Sequence, residues 1–266
     1  LLPLTLAFAG VGSLYQFRME AGVPSEGLQV MTYNARSFSF WRSQQIGQAI
    51  ESFVKETAPD ILCFQEFPRV ALRHFGQYPF HYLTPRQGGK ATQAIFSKYP
   101  ILARGQVSFP ESGNNTLYAD IQYQGDTLRI YNVHLQSYSI SSRNFLWQNF
   151  GLDFIKRLQE VEKKHRQQAG LVRAHMEASP HPSLVCGDFN ATAFSRPYRI
   201  ISQGMHDSFR EEGRGWGTTF FLNQVLPYRI DYILAAPEWE ITGHRNFDTR
   251  LSDHLPVMAT LQPKGQ

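Results

Sequence analysis

The residues best able to do chemistry in this chain stand at the ends of short apolar runs. They are Asn34 in Thr32-Tyr33-Asn34, Glu66 in Gln65-Glu66, His134 in Asn132-Val133-His134-Leu135, and Asp188 with Asn190 in Gly187-Asp188-Phe189-Asn190. Asp231 follows in Arg229-Ile230-Asp231-Tyr232, then Asp253 and His254 in Ser252-Asp253-His254-Leu255-Pro256. Runs rich in Val, Ile, Leu and Tyr read as strands buried on both faces. Carboxylates and histidines are rarely buried without partners, so strand ends delivering this set suggest one shared site. Asp188 and Asn190 are two residues apart; on extended backbone they point to one side while Phe189 points into the core. Local capping of a turn is the plainer reading of that pair. Hard carboxylate oxygens suit a divalent cation held together with water. Imidazoles beside them suit proton transfer.

Taken in order, the six motifs resemble the endonuclease/exonuclease/phosphatase superfamily, which includes deoxyribonuclease I, exonuclease III, sphingomyelinases and inositol-phosphate phosphatases. The resemblance covers roughly residues 27–261 and rests on the ordered set, since Gly-Asp-Phe-Asn alone occurs by chance in many chains. It implies an α/β fold: a four-layer α/β sandwich of two packed mixed β-sheets flanked by helices, deoxyribonuclease I-like. It also implies metal-dependent hydrolysis of a phosphate ester. That reaction needs an aimed and deprotonated water, neutralised phosphoryl charge and a stabilised leaving alkoxide. Glu66, on the rigid platform of residues 61–64, is the first choice of metal ligand, and the resemblance assigns it the same role. Asn34 orients Glu66 or adds to the metal shell, and Asp253 completes that shell. The expected ion is Mg2+, with Mn2+ able to substitute. One ion is expected; a second is left open, because Ala35-Arg36 follows Asn34 where nuclease-like members carry an acidic residue two positions after the Asn. Asp188 is then the general base or aligner of the water, and Asn190 donates to a phosphoryl oxygen. The resemblance pairs Asp231 with His254, the carboxylate fixing the tautomer and favouring imidazolium, and has His254 touching the phosphate. His134 hydrogen-bonds a phosphate oxygen or protonates the leaving group. A single His at a strand end is more often structural, and that alternative stands beside it.

Positioning these groups requires strands over residues 28–33, 61–64, 184–186, 229–234 and 256–261, with hairpins pairing 80–83 with 94–96 and 117–123 with 127–133. Ser43 can cap a helix whose apolar Ile46, Ala49, Ile50 and Phe53 recur at helical spacing. A longer helical pattern spans about residues 144–176, with a solvated charged face at 156–166. Residues 210–219, with Gly213, Gly215 and Gly217 around Trp216, read as a mobile loop. Arg36, Arg143 and Arg229 offer phosphate clamps or ordinary salt bridges. Phe38, Phe40 and Trp41 line a cleft or, more simply, pack in the core. The remaining histidines read as surface or core residues. No internal repeat or low-complexity tract is present.

A chain of 266 residues fits one large domain or two small ones. A site drawing on Asn34 and His254 needs both halves, so residues 27–262 read as one catalytic domain. The charged fraction is only 18%, which leaves room for a large core, and the net charge of +4 suits an anionic substrate. It is not the dense basic patch of a strong nucleic-acid binder. Cys63 and Cys186 read as buried thiols rather than a disulfide, and their spacing offers no zinc site. Residues 1–17 are almost wholly apolar, with no charge before Arg18. That is just short of the roughly 20 residues of a spanning helix, and no basic leader region precedes it. Residues 1–20 therefore read as the end of a transmembrane helix, with a helix buried on the domain as the alternative. The expectation is a monomeric, membrane-anchored bacterial protein, the side of the membrane left open. Its substrate is a phosphate ester: a lipid head group, nucleotide, nucleic acid or sugar phosphate. A DNA repair nuclease competes, but it predicts basic loops and a soluble start. A non-catalytic module binding phosphorylated ligands competes too; loss of Glu66, Asp188 or His254 would favour it, and none is lost.

Overall fold

In the computed structural model the described residues are 15–16, 26–38, 44–85, 92–138, 152–222 and 226–265. One six-stranded sheet holds β1 (Leu28–Asn34), β2 (Ile61–Gln65), β3 (Phe80–Leu83), β4 (Ala94–Ser97), β13 (Trp239–Asn246) and β14 (Val257–Pro263), in the order β13-β14-β1-β2-β4-β3. The other holds β5 (Ile101–Ser108), β6 (Asn115–Tyr123), β7 (Asp126–His134), β8 (Ser183–Asp188), β9 (His206–Asp207) and β12 (Asp231–Ala235), in the order β5-β6-β7-β8-β12-β9. Each sheet is mixed: β1 runs parallel to β2 and β7 parallel to β8, while the other pairings are antiparallel. A short ribbon of β10 (Phe220–Leu222) and β11 (Leu226–Tyr228) stands apart.

The period of two along each strand builds the layers. Leu28 and Val30 of β1 meet Ile61, Cys63, Ile130, Leu184, Cys186 and Ile233 between the sheets. Met31 and Tyr33, on the opposite face, pack with Ile46, Ile50 and Val54 of helix α1 (Gln44–Thr57), one turn apart. On the far side Tyr131, Val133 and Val185 meet Ala169, Val172 and Met176 of α2 (Leu152–Glu177) and Tyr198 and Ile201 of α3 (Arg196–Ser202). The result is the expected order of helix, sheet, sheet, helix. The inner faces carry the same register to the strand ends. There it stops being apolar and presents Asn34, Gln65, Asn132, His134, Asp188 and Asp231, all buried.

The structure decides several expectations, some as corrections and some, such as Phe38 and the two cysteines, as the sequence reads them. Residues 208–212 form a short helix, α4, capped by Asp207 accepting from the Phe209 N–H at 3.0 Å. Gly213 and Gly217 follow it, and a Cβ at either would lie 2.2 or 2.4 Å from the Phe209 ring. These glycines permit close packing, which a mobile loop does not need. Arg229 is no phosphate clamp: its guanidinium is buried against Asp207 at 2.8 Å. Phe38 packs on Phe64 and Phe67 as core. Cys63 and Cys186 are free thiols, both buried. Ser43, Phe40, Trp41, Arg143, residues 144–151 and most of residues 1–20 lie outside the described residues. Among the described residues no helix is long and apolar enough to cross a membrane.

Candidate active site

The site is the polar end of the inter-sheet layer. Asp188 ends β8, and its carboxylate is the hub. Oδ2 accepts from the amide of Asn34 across the gap between sheets at 2.9 Å and from the amide of Asn190 at 3.2 Å. Oδ1 accepts from the Asn190 backbone N–H at 2.8 Å. The turn that makes this possible depends on two backbone positions. Gly187 has φ 136°, and a Cβ there would sit 2.0 Å from the Val133 carbonyl oxygen on the neighbouring strand. Asn190 has φ 47°, a left-handed conformation that Asn tolerates better than most residues. Asx-type capping and site construction therefore coincide in this pair.

Asp231 opens β12 opposite Asp188. Thr219 Oγ1 accepts from the N–H groups of Ile230 and Asp231, both at 3.0 Å, and fixes the strand start. The Asp231 carboxylate faces His254 Nδ1 at 2.9 Å, and His254 Nε2 lies 3.8 Å from Asp188 Oδ2. The imidazole thus stands in a row between two carboxylates. Burial pulls its pKa down, but Asp231 and Asp188 outweigh burial and lift it to about 10. Asp188 is pushed up to about 7, chiefly by burial and further by the charge of Asp231, against the pull of His254. His134 lies 3.8 Å from Asp188 Oδ2, too far for a hydrogen bond. Burial and the charge of His254 press its pKa to about 3, so it is a neutral imidazole. Its Nδ1 is buried without a hydrogen-bond partner.

Glu66 follows β2 with φ 50°, a conformation costing a non-glycine residue about 1–3 kcal/mol and characteristic of functional sites. Its pKa is raised by burial and by Asp253, with His254, Arg36 and a hydrogen bond from Asn34 pulling the other way. The strand-start loop carrying Asp253 and His254 is pinned by Ser252, whose hydroxyl donates to the Asn34 carbonyl at 2.9 Å. Asp253 Oδ2 pairs with Arg36 Nη1 at 2.8 Å. Glu66, half-buried at a strained turn, takes a hydrogen bond from Asn34 and feels the charge of Asp253, an oxygen-rich set that a divalent cation would relieve. Glu66, Asp253 and Asn34 therefore fit the implied metal. A second grouping, Asp188, Asp231 and His254, brings ligand-type atoms within 4.8 Å of one another. A cation bound there would have to displace the proton that Asp231 and Asp188 hold on His254.

All eight residues singled out from the sequence thus converge. Supporting residues went unrecognised. Asn132 accepts from Gln65 at 2.7 Å and donates to the carbonyls of Phe64 and Ala94, tying the two sheets beneath the site. Ser252 and Gln65 lay within the quoted motifs and could have been flagged. Thr219, and Phe220 with its ring 4.8 Å from that of His254, carry no local signal.

Residues 31–254 match the endonuclease/exonuclease/phosphatase family. Comparison with curated protein sequences gave no match. Among solved structures, an endonuclease/exonuclease/phosphatase from Bacteroides vulgatus is similar at 21% identity and TM-score 0.71, covering 90% of this chain and 100% of that one. D. rerio TDP2 complexed with a single-strand DNA product is similar at 16% identity and TM-score 0.70, with coverage of 90% and 100%. A Bacteroides thetaiotaomicron mannosyl-6-phosphatase is similar at 18% identity and TM-score 0.64, with coverage of 88% and 99%. At these identities the likeness shows the fold: the α/β sandwich of two mixed sheets.

Proposed function

The chain belongs to the endonuclease/exonuclease/phosphatase family, and from that premise and the site we propose a divalent-metal-dependent phosphoesterase that hydrolyses phosphodiesters. The observation that carries this reading is the row Asp231–His254–Asp188 set beside Glu66. It offers a proton acceptor, a cation fixed beside it and, in Glu66, a carboxylate suited to a metal. Asp188, with a pKa of about 7, is matched to taking a proton from the attacking water near neutral pH. His254 is held as an imidazolium by Asp231 and neutralises phosphoryl charge. The Asn190 amide, which donates to the Leu135 carbonyl and to Asp188, would give up one of these bonds to donate to a phosphoryl oxygen, and neutral His134 is the donor proposed for another. Glu66, with Asn34 and Asp253, would hold Mg2+, or Mn2+ in its place. When bound, such an ion would neutralise charge on the phosphoryl and leaving oxygens.

The direct test is turnover of bis-p-nitrophenyl phosphate by the purified chain with and without Mg2+. Magnesium-dependent release of p-nitrophenol, lost in Glu66→Ala, is expected. Equal turnover in the presence of chelator would end the metal assignment. The reading takes residues 27–262 as the catalytic domain and residues 1–20 as the end of a membrane anchor, supported by the apolar sequence of that segment; within it, Tyr15 and Gln16 lie against the domain at Trp216 and Gly215. Removing residues 1–24 should leave turnover of a soluble substrate unchanged; an unfolded product would make the segment part of the core.

A further inference from the structure

A cavity of about 620 Å³ opens directly beside the site, and Asn190 and Phe220 belong to both. Its other walls include Leu158, Ala191 and Ile230 and the rings of Tyr138 and Tyr228. No Lys or Arg is among its described lining residues, and its one charged group is Glu162, which accepts from the Tyr138 hydroxyl at 3.4 Å. The size is that of a ligand pocket. The cavity itself offers no cation to the further phosphates of a nucleic-acid strand; Arg157 and Lys164 line a separate hollow beyond Ser137 and Tyr138. At Thr192 and Tyr228 the cavity meets a second hollow of about 310 Å³ walled by Phe194, Trp216 and Pro227. Phe194, Trp216, Leu226 and Tyr228 are 49, 64, 46 and 38% exposed, large apolar side chains that an ordinary soluble surface seldom clusters. Residues 15 and 16, inside the apolar N-terminal stretch, are fastened to the same rim. Gln16 exchanges both backbone hydrogen bonds with Gly215, at 2.9 and 3.0 Å, and the Tyr15 ring meets Trp216 edge-on at 5.1 Å.

An apolar path therefore runs from the ring that touches His254 to an exposed aromatic edge. We propose that this cavity seats the non-phosphate part of the substrate, and that the substrate is a phosphate ester bearing a long apolar chain, as a lipid does. This rests on the phosphoesterase reading above. The phosphate sits at the mouth, beside Asn190 and His254, while the chain lies along Leu158, Ile230 and Tyr228. In the hydrolysis, water oxygen bonds to phosphorus, one ester P–O bond breaks, and the departing oxygen keeps the bonding pair and takes up a proton.

The test uses the full chain, Mg2+, and alkyl p-nitrophenyl phosphates from methyl to octyl, all kept below their micellar concentrations. Each methylene that enters the cavity should raise kcat/KM about fourfold, the factor corresponding to ~0.8 kcal/mol per buried methylene. Leu158→Asp and Tyr228→Ser, on half-buried and exposed positions outside the reacting groups, should flatten that series, read as the ratio of octyl to methyl kcat/KM. A kcat/KM independent of chain length, with the methyl ester turned over, would overturn the proposal and leave the phosphoesterase standing. If no ester is turned over, calorimetry decides separately. Octyl phosphate binding much more tightly than methyl phosphate, with the difference lost in Leu158→Asp, upholds the cavity's role while the phosphoesterase reading falls. Equal affinity for the two sinks the cavity assignment.

Discussion

Asp207 and Asp231 lie on neighbouring strands of the second sheet, both buried and both facing a cation, yet their surroundings differ in kind. Asp207 accepts from Arg229 Nη1 at 2.8 and 2.9 Å, from the Tyr198 hydroxyl at 2.6 Å and from the Phe209 N–H at 3.0 Å. The guanidinium in turn lies over the rings of Phe209 and Tyr232, each at 4.7 Å. One charge meets one charge. Burial pushes the Asp207 pKa up, but Arg229 and the Tyr198 hydrogen bond more than offset this and hold it below the ordinary value. Around Asp231 two carboxylates share one imidazolium. The surplus falls on Asp188, whose pKa rises to about 7. A balanced cluster stabilises and does nothing else; an unbalanced one sacrifices stability for a group that can accept a proton near neutrality.

The sharpest way to break this contrast is to neutralise each cluster's critical charge. Asp188→Asn should lower kcat on bis-p-nitrophenyl phosphate by about 10²–10⁴-fold, the range for loss of a general base. It should leave the melting temperature unchanged or raised, because it removes an unfavourable buried charge. A large drop in melting temperature would place Asp188 with the structural cluster instead.

Arg229→Met should do the reverse. It strands the Asp207 carboxylate, which typically costs 3–5 kcal/mol, or roughly 6–20 °C in melting temperature for a chain of this size. Activity per folded molecule should be retained. The pH dependence has a definite sign. Asp207 has a lowered folded pKa, so its stabilisation is present above the ordinary carboxylate value of about 3.9 and is lost as pH falls through the folded value. The gap between wild type and Arg229→Met in urea unfolding should therefore narrow below about pH 4. A constant gap from pH 7 to 3 would show that packing of the guanidinium, not charge, is what Arg229 contributes.

Glu66→Gln should cost about 10²–10³-fold in turnover and abolish the calorimetric heat of Mg2+ binding, with the fold intact by circular dichroism. Undiminished Mg2+ affinity would move the metal away from Glu66. The smallest effect concerns Asp231. His254 has a raised folded pKa, so the imidazolium persists above the ordinary value of 6.5 and is lost as pH rises through about 10. Asp231→Asn removes the nearest charge and should shift the alkaline limb of the pH–rate profile down by about 1–3 units. The double variant with His254→Ala should be little worse than His254→Ala alone. Additive losses would separate the two residues.

Much of this was readable before any coordinates. Motifs such as Gly-Asp-Phe-Asn stand out because a charged or amide residue interrupts a run that is otherwise apolar, and all eight residues so marked gather at one place. The strands that escaped notice fail that test. In β5 the residues Leu102, Ala103 and Arg104 are exposed, so no apolar alternation announces an edge strand. In β13 only Trp239, Ile241 and Gly243 are buried, spread among polar neighbours. Thr219 and Phe220 act through a ribbon that is remote in sequence from both Asp231 and His254, and nothing in their local sequence signals it.

The sequence by itself determined which side chains face inward, because a period of two is a property of the strand and needs no partner. It also determined that polar residues end those inward rows, and hence that some buried polar site must exist. What only the tertiary structure decided was the partition of charge within it. Whether Arg229 meets a phosphate or Asp207 depends on which strands lie side by side. Electrostatic energy falls off over a few ångströms in a buried site, and no spacing along the chain encodes those distances.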